Sequence, residues 1–254
     1  KILGGTAAQA GIYSAAQSLS LLPGLFSWTF SSLLLATLSR QLADSQQERA
    51  RELARDALRV TMLLIPVAAI IAGAAPEIVQ VVFGAAFLPA GPLLALLIVG
   101  AVSNVMLMVS ITIMTAAGLP ARTIMFTAPL VLMALAGHLV LIPRFGQQGA
   151  ALVTVVVSSL GAIAAGAGVY ALWKVRPPVG TVIRSLAIGL VVGTVSLWWP
   201  TTGVLVFPKL VLVNPLCVKA FRLLHPDFGT WLALRSSHTS RNMRPRDGGE
   251  GLRL

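Results

Sequence analysis

Charge is what this sequence has least of. Asp, Glu, Lys and Arg make up 11% of its 254 residues, against roughly 25% in an ordinary soluble domain. So few charges cannot cover the surface of a water-soluble protein of this size. Cysteine is nearly absent. Cys217 stands alone, so no internal disulfide can form and a disulfide-framed secreted module is excluded. The three histidines, His138, His225 and His238, lie far apart and share no metal-ligand spacing. There is no Walker motif, no dinucleotide fingerprint and no HExxH sequence. No Ser/His/Asp set has positional support. These absences argue against an enzyme and lead to the expectation of no cofactor and no bound metal.

Apolar residues are what it has most of. They account for 56% of the chain, with 23 glycines in addition, and mean hydropathy is +0.86. This excludes a disordered chain and points to an all-α, polytopic membrane protein. The net charge of +11 would suggest nucleic acid in a soluble protein. Here the basic residues sit between apolar blocks, so they point to anionic membrane lipids and topology control, with no nucleic acid partner. The chain starts at Lys1 with no signal peptide, as expected of a sequence that begins inside a longer protein.

Six spans are expected, at about 19–38, 60–78, 91–117, 123–142, 149–173 and 183–200, with a poorer seventh at 201–218. The first, Leu19 to Leu38, has 20 residues and no charge, enough to cross about 30 Å of hydrocarbon. Residues 39–57 mix Arg40, Arg49, Arg51 and Arg55 with Asp44, Glu48, Glu52 and Asp56. Ala50, Leu53, Ala54 and Ala57 share one side. That pattern predicts an amphipathic helix lying on the membrane surface. Residues 1–218 are thus expected to form the helical bundle, and 219–254 a basic, disordered cytoplasmic tail. Trp198 and Trp199 fit an interface anchor.

Basic residues fix the orientation. Loops 39–59, 118–122 and 174–184 carry five, one and three, whereas 76–90 and 143–148 carry none and one. The first group belongs in the cytoplasm. If 201–218 crosses, the N-terminus lies outside and the tail inside.

Several segments together resemble a known family. GIYSAAQSLSLLPGLF at 11–26 resembles its Gly-x-Tyr-x-x-Ala helix start, and VVFGAAFLPAGPLLALL at 81–97 its Phe-Gly-x-x-Phe-x-x-Ala stretch. GLPAR at 118–122 fits a short turn between helices. LVLIPRFGQQGAALVTVVVSS at 139–159 resembles its Leu-Ile-Pro-x-x-Gly-x-x-Gly-Ala-Ala segment. Over about residues 7–175 the chain looks like the C-terminal half of an oligosaccharide flippase. This is the polysaccharide biosynthesis export branch of the multidrug/oligosaccharidyl-lipid/polysaccharide exporter superfamily. It departs from the pattern at Thr37, where Pro often precedes the Leu-Ser-Arg ending, and at His138, where Asn is frequent.

The resemblance implies one lobe of a two-lobe transporter in the bacterial inner membrane. Such a protein moves a polyprenyl-diphosphate-linked oligosaccharide for cell-surface polysaccharide or lipopolysaccharide synthesis, by ion-coupled alternating access. The implied partners are the N-terminal bundle of the same protein, membrane lipids, the lipid-linked substrate and other polysaccharide assembly proteins. Two rival readings stay open: a multidrug/cation antiporter of the same fold, and a non-transporting partial membrane protein.

A diphosphate crossing hydrocarbon needs a polar, cationic path, and arginine forks suit its paired oxygens. Yet the first five spans show no Arg or Lys at their middles. Arg40, Arg59, Arg122 and Arg184 fall at cytoplasmic helix ends. They would either attract the headgroup or act as topology signals and lipid contacts. Asn104 falls mid-span, as a substrate or ion contact or an interhelical hydrogen bond. His138 would serve proton coupling or packing. Glu77 would serve cation coupling or meet solvent. Gln17 and Tyr13 would line a cavity mouth. Pro23, Pro66 and Pro129 are candidate hinges, although prolines are common in membrane helices.

Overall fold

The computed structural model describes residues 6–173, together with the isolated positions Ala187 and Thr194. The expected spans at 183–200 and 201–218, the tail at 219–254 and Arg184 lie outside the described residues. Those residues are all helical apart from turns: α1 (Ala7–Ser20), α2 (Leu22–Ala43), α3 (Gln47–Met62), α4 (Leu64–Gly73), α5 (Ala75–Phe83), a 3-10 segment (Ala85–Ala90), α6 (Gly91–Ala116) and α7 (Pro120–Trp173).

The helix ends follow local chemistry. A capping box opens α1: the Gln9 amide N–H donates to Thr6 Oγ1 at 3.2 Å, and the Thr6 N–H donates to Gln9 Oε1 at 3.1 Å. Pro23, Pro76 and Pro92 sit in the first turns of α2, α5 and α6, where a missing N–H costs no helical bond. At the end of α6, Gly118 takes φ 76°. The Gly118 N–H donates to Thr115 O, and the Leu119 N–H to Met114 O, which is a Schellman closure. Pro120 then starts α7. The same closure ends α2, with Ser45 in the left-handed region at φ 59° and the Gln46 N–H donating to Gln41 O at 2.9 Å.

The 54-residue α7 is broken at Gly146, at φ 57° and ψ −134°, inside the stretch 143–148. Its two arms, 120–145 and 147–173, fold back on each other. Gly149 lies against Leu141, Gly137 against Val153, Gly161 against Leu130 and Gly168 against Phe126. As one index rises the other falls, so the arms are antiparallel.

α6 is the axis of the bundle and touches every other helix. Gly100 meets Val155, Leu107 meets Gly161 and Met114 meets Gly168, a nearly constant offset that makes α6 and the second arm of α7 parallel. α3 and α4 run past α6 the other way. Ala50, Ala54, Ala57 and Leu58 cluster with Val105, Val109, Ile113 and Met114, while Ala68 clusters with Ile98 and Val102. Towards the opposite end, Ala16 of α1 packs with Ala75, Val79, Leu93, Leu94 and Ala151. Lipid tails are as apolar as leucine, so such helices are held by close packing and not by escape from water. The glycines and alanines at these contacts are what allow it.

Four helical stretches are long and apolar enough to cross a membrane: Ala7–Ala43, Gln47–Gly73, Ala85–Ala116 and Pro120–Trp173, the last doubled by its break. The chain is an all-α polytopic bundle. The first stretch includes α1 from Ala7 as well as the uncharged 19–38, and Arg40 lies at the helix end expected for it, in the last turn of α2. The apolar face of α3 is covered by α2 and α6. Two expectations need correction. The second stretch starts at Gln47 and closes at Gly73, so 75–83 is a separate helix. The region 76–90 is α5 and the 3-10 segment, where an open loop was expected.

Candidate functional site

In a helix surrounded by lipid, hydroxyls are satisfied most cheaply by the preceding turn. This chain does so repeatedly. Thr61 donates to Leu58 O at 2.8 Å, Ser110 to Met106 O at 2.8 Å, Thr112 to Met108 O at 2.8 Å and Thr115 to Ile111 O at 2.9 Å. One hydroxyl pair bridges two helices: Ser103 of α6 and Ser159 of α7 lie 3.2 Å apart.

Asn104 is the next residue after Ser103, at the midpoint of α6. Most faces of α6 are buried, but Asn104 is exposed on the described bundle, and so are Met108 and Thr115 further along the helix. An exposed strip therefore runs from the middle of α6 towards its Gly118 end, with an amide at Asn104, the apolar Met108 between and a hydroxyl at Thr115. A carboxamide there needs a polar surrounding, because an unmet amide in hydrocarbon costs about 2–7 kcal/mol.

His138 lies on the first arm of α7, beside Gly137, which packs on Val153. It is half-buried, and its Nδ1 is enclosed without a hydrogen-bond partner. Tyr13 is half-buried against the cluster around Ala16 and Leu94, and Gln17 is exposed on α1. No hydrogen bond joins Asn104, His138, Tyr13 and Gln17 to one another among the described residues. Glu77 is half-buried in the first turn of α5, where a negative charge suits the helix dipole.

The prolines divide. Pro23 follows the junction at Leu21 between α1 and α2, Pro66 is buried just past the α3–α4 junction at Leu63, and Pro129 is exposed inside an unbroken part of α7.

Most of the described arginines gather at one end, with Arg144 in the turn at the other. Arg40 closes α2, and Arg122 is exposed in the first turn of α7. Arg59 lies within the second membrane-length stretch, half-buried, with its guanidinium 3.7 Å from Asp56. It sits just past Leu58, which clusters with the half of α6 from Val105 to Met114, so it is deeper than Arg49 or Arg51. The sequence pattern puts Arg59 at a helix end, whereas α3 and α4 together make one membrane-length stretch that contains it.

The sequence pattern does not single out Arg51, whose Nη1 is 2.8 Å from Glu48 Oε1. Arg51, Gln47 and Trp173 line a cavity of about 470 Å³. Nothing in the sequence separates Arg51 from its neighbouring arginines. Only the meeting of α3 with the end of α7 does. Among the described residues no group of three His, Cys, Asp or Glu is placed to hold a metal ion.

These features define a class: a multi-pass α-helical membrane protein whose polar groups are strung along helices, with most of its described arginines at one end and Arg144 at the other. The lipid II flippase MurJ family matches residues 5–199, and the chain belongs to that family. No curated protein and no solved structure matches the chain. It is therefore a membrane transporter and not an enzyme, with a multi-pass location in the bacterial inner membrane, and its family is one that moves a lipid-linked glycan.

Proposed function

We propose that this chain forms one lobe of a flippase that carries a polyprenyl-diphosphate-linked glycan across the inner membrane by ion-coupled alternating access. The family match over residues 5–199 carries the reading. Its description names lipid II, which favours that cargo over the oligosaccharides of the surface-polysaccharide branch. In this reading the lipid tail stays in the bilayer while the headgroup follows the polar side of the bundle. Arg40, Arg122 and the deeper Arg59 attract the diphosphate at the cytoplasmic end. Asn104 and its strip contact cargo or ion midway. Tyr13, Gln17 and Glu77 lie towards the other mouth, and His138 takes part in proton coupling. The junctions at Pro23 and Pro66 serve as bending points. Pro129, inside a continuous helix, is the weakest of the three.

The multidrug antiporter reading has less support, since a cation-binding carboxylate deep in a helix is its requirement. Asp56 is engaged with Arg59, and Glu77 sits at a helix start.

Depletion of the complete protein in cells tests the proposal. Lipid-linked glycan should accumulate in the inner leaflet and clear when the protein is restored. Asn104→Leu should restore it at least tenfold less well than the original. Unchanged leaflet distribution on depletion would contradict the reading.

A further inference from the structure

A cavity of about 470 Å³ lies at the Arg40–Arg122 end of the bundle. It opens where α2 turns into α3 and α6 turns into α7, beside Leu172 and Trp173, the last described residues of α7. Leu42, Ala117 and Leu172 give it an apolar wall. Trp173 adds an indole, and Gln47 and Arg51, one turn apart on α3, supply an amide and a guanidinium. Its volume falls in the range of small-molecule sites, about 300–1,000 Å³, and exceeds what a lone phosphate needs.

The lining specifies the occupant's chemistry. Arg51 contributes a single cation, partly exposed, whose Nη1 lies 2.8 Å from the exposed Glu48 carboxylate, and that contact engages one nitrogen of the fork. A guanidinium has five donors, so the remaining edge suits the paired oxygens of one singly charged phosphodiester. Beside it, an apolar wall and an indole suit glycerol and the first carbons of a chain, as indoles do at membrane interfaces. The cavity is at the end that the basic residues place in the cytoplasm, where the leaflet is rich in anionic lipid. Arg40 in the last turn of α2, Arg49 in the first turn of α3 and Arg122 in the first turn of α7 lie at this end of the described bundle and add attraction.

We infer that this cavity binds the phosphodiester headgroup of an anionic inner-leaflet phospholipid, with Arg51 and Gln47 on the phosphate and Trp173 against the glycerol region. The bound lipid ties the start of α3 to the end of α7, segments far apart in sequence. It acts as a clamp on the cytoplasmic end, and this role does not depend on which cargo is carried.

The test uses the full chain in nanodiscs of phosphatidylcholine with and without phosphatidylglycerol. Lipid retention is read by native mass spectrometry and clamping by thermal unfolding. Phosphatidylglycerol should be retained selectively and raise the melting temperature. Arg51→Ala should cut retention about tenfold, as expected for one charge-assisted hydrogen bond. Ala117→Phe, which fills the cavity and keeps every charge, should do the same. Arg55→Ala, an exposed charge on the same helix outside the cavity, should change neither readout. Should either cavity variant fold poorly by circular dichroism, Arg51→Gln removes the charge at similar size. Equal losses in Arg51→Ala and Arg55→Ala would reduce the effect to surface charge and overturn the site. So would full retention in Ala117→Phe, equal retention of phosphatidylcholine, or stabilisation by inorganic phosphate matching that by the lipid.

Discussion

The hydroxyl oxygens of Ser103 and Ser159 lie 3.2 Å apart, across the seam between α6 and the second arm of α7. Ser103 also donates to Val99 O at 3.0 Å within its own helix, so the Ser159 hydroxyl is left to donate across the seam, and the pair reports on the fit of the two helices. Replacing either serine by alanine should lower stability by about 1 kcal/mol, with a coupling energy of similar size in the double-mutant cycle. Unfolding in mixed micelles gives the measurement. A coupling near zero would mean that the seam is set by packing alone.

Two glycines of the same helix should respond in opposite directions. A Cβ at Gly149 would run into the backbone carbonyl of Leu141, which cannot move without opening the hairpin, whereas a Cβ at Gly166 meets nothing. Gly149→Ala should cost roughly 2 kcal/mol or more. Gly166→Ala should be neutral or stabilise by up to about 1 kcal/mol, because alanine is the better helix former. The same unfolding assay compares them.

Ser45 closes α2 in a left-handed conformation at φ 59°, and its side chain is exposed. The conformation costs an L-residue about 1 kcal/mol, a penalty that glycine avoids. Ser45→Gly should raise stability by about that amount while leaving transport unchanged. A fall in stability would show that the serine contributes something the backbone geometry does not account for.

Much of this fold was legible in the residues. The apolar blocks, the Gly118–Leu119–Pro120 turn and the break within 143–148 all follow from composition and from glycine and proline positions. The docking of α3 did not. Its pattern is amphipathic, and amphipathicity does not say what covers the apolar face. The useful signal was the size of that face: Ala50, Ala54 and Ala57 suit another helix at close range, whereas surface helices favour Trp, Phe and Leu. The uncharged core of the first stretch begins at Leu19 because Gln9, Ser14, Gln17 and Ser18 dilute the hydropathy of α1. The Thr6–Gln9 capping box marks the start of that helix. Of the candidate site, residue types pointed to Asn104 and His138, but no spacing rule ties together residues from separate helices. The depth of Arg59 and the cavity at Arg51 depend on tertiary register.

The orientation has a direct consequence for labelling. In a Cys217→Ser background, cysteines at Glu48 and Ala86, both exposed, should react with an impermeant reagent from opposite sides. Position 86 should label in intact cells and position 48 only after the membrane is opened. Labelling of both from one side would undo the map.

Transport itself is tested most directly in proteoliposomes containing the complete protein and a fluorescent polyprenyl-diphosphate-linked glycan. The readout is the fraction of glycan reached by a membrane-impermeant quencher over time. Glycan should move between leaflets in the presence of the protein, and at least tenfold more slowly with Asn104→Leu. A rate equal to that of protein-free liposomes, with the protein folded and both orientations present, would contradict the account.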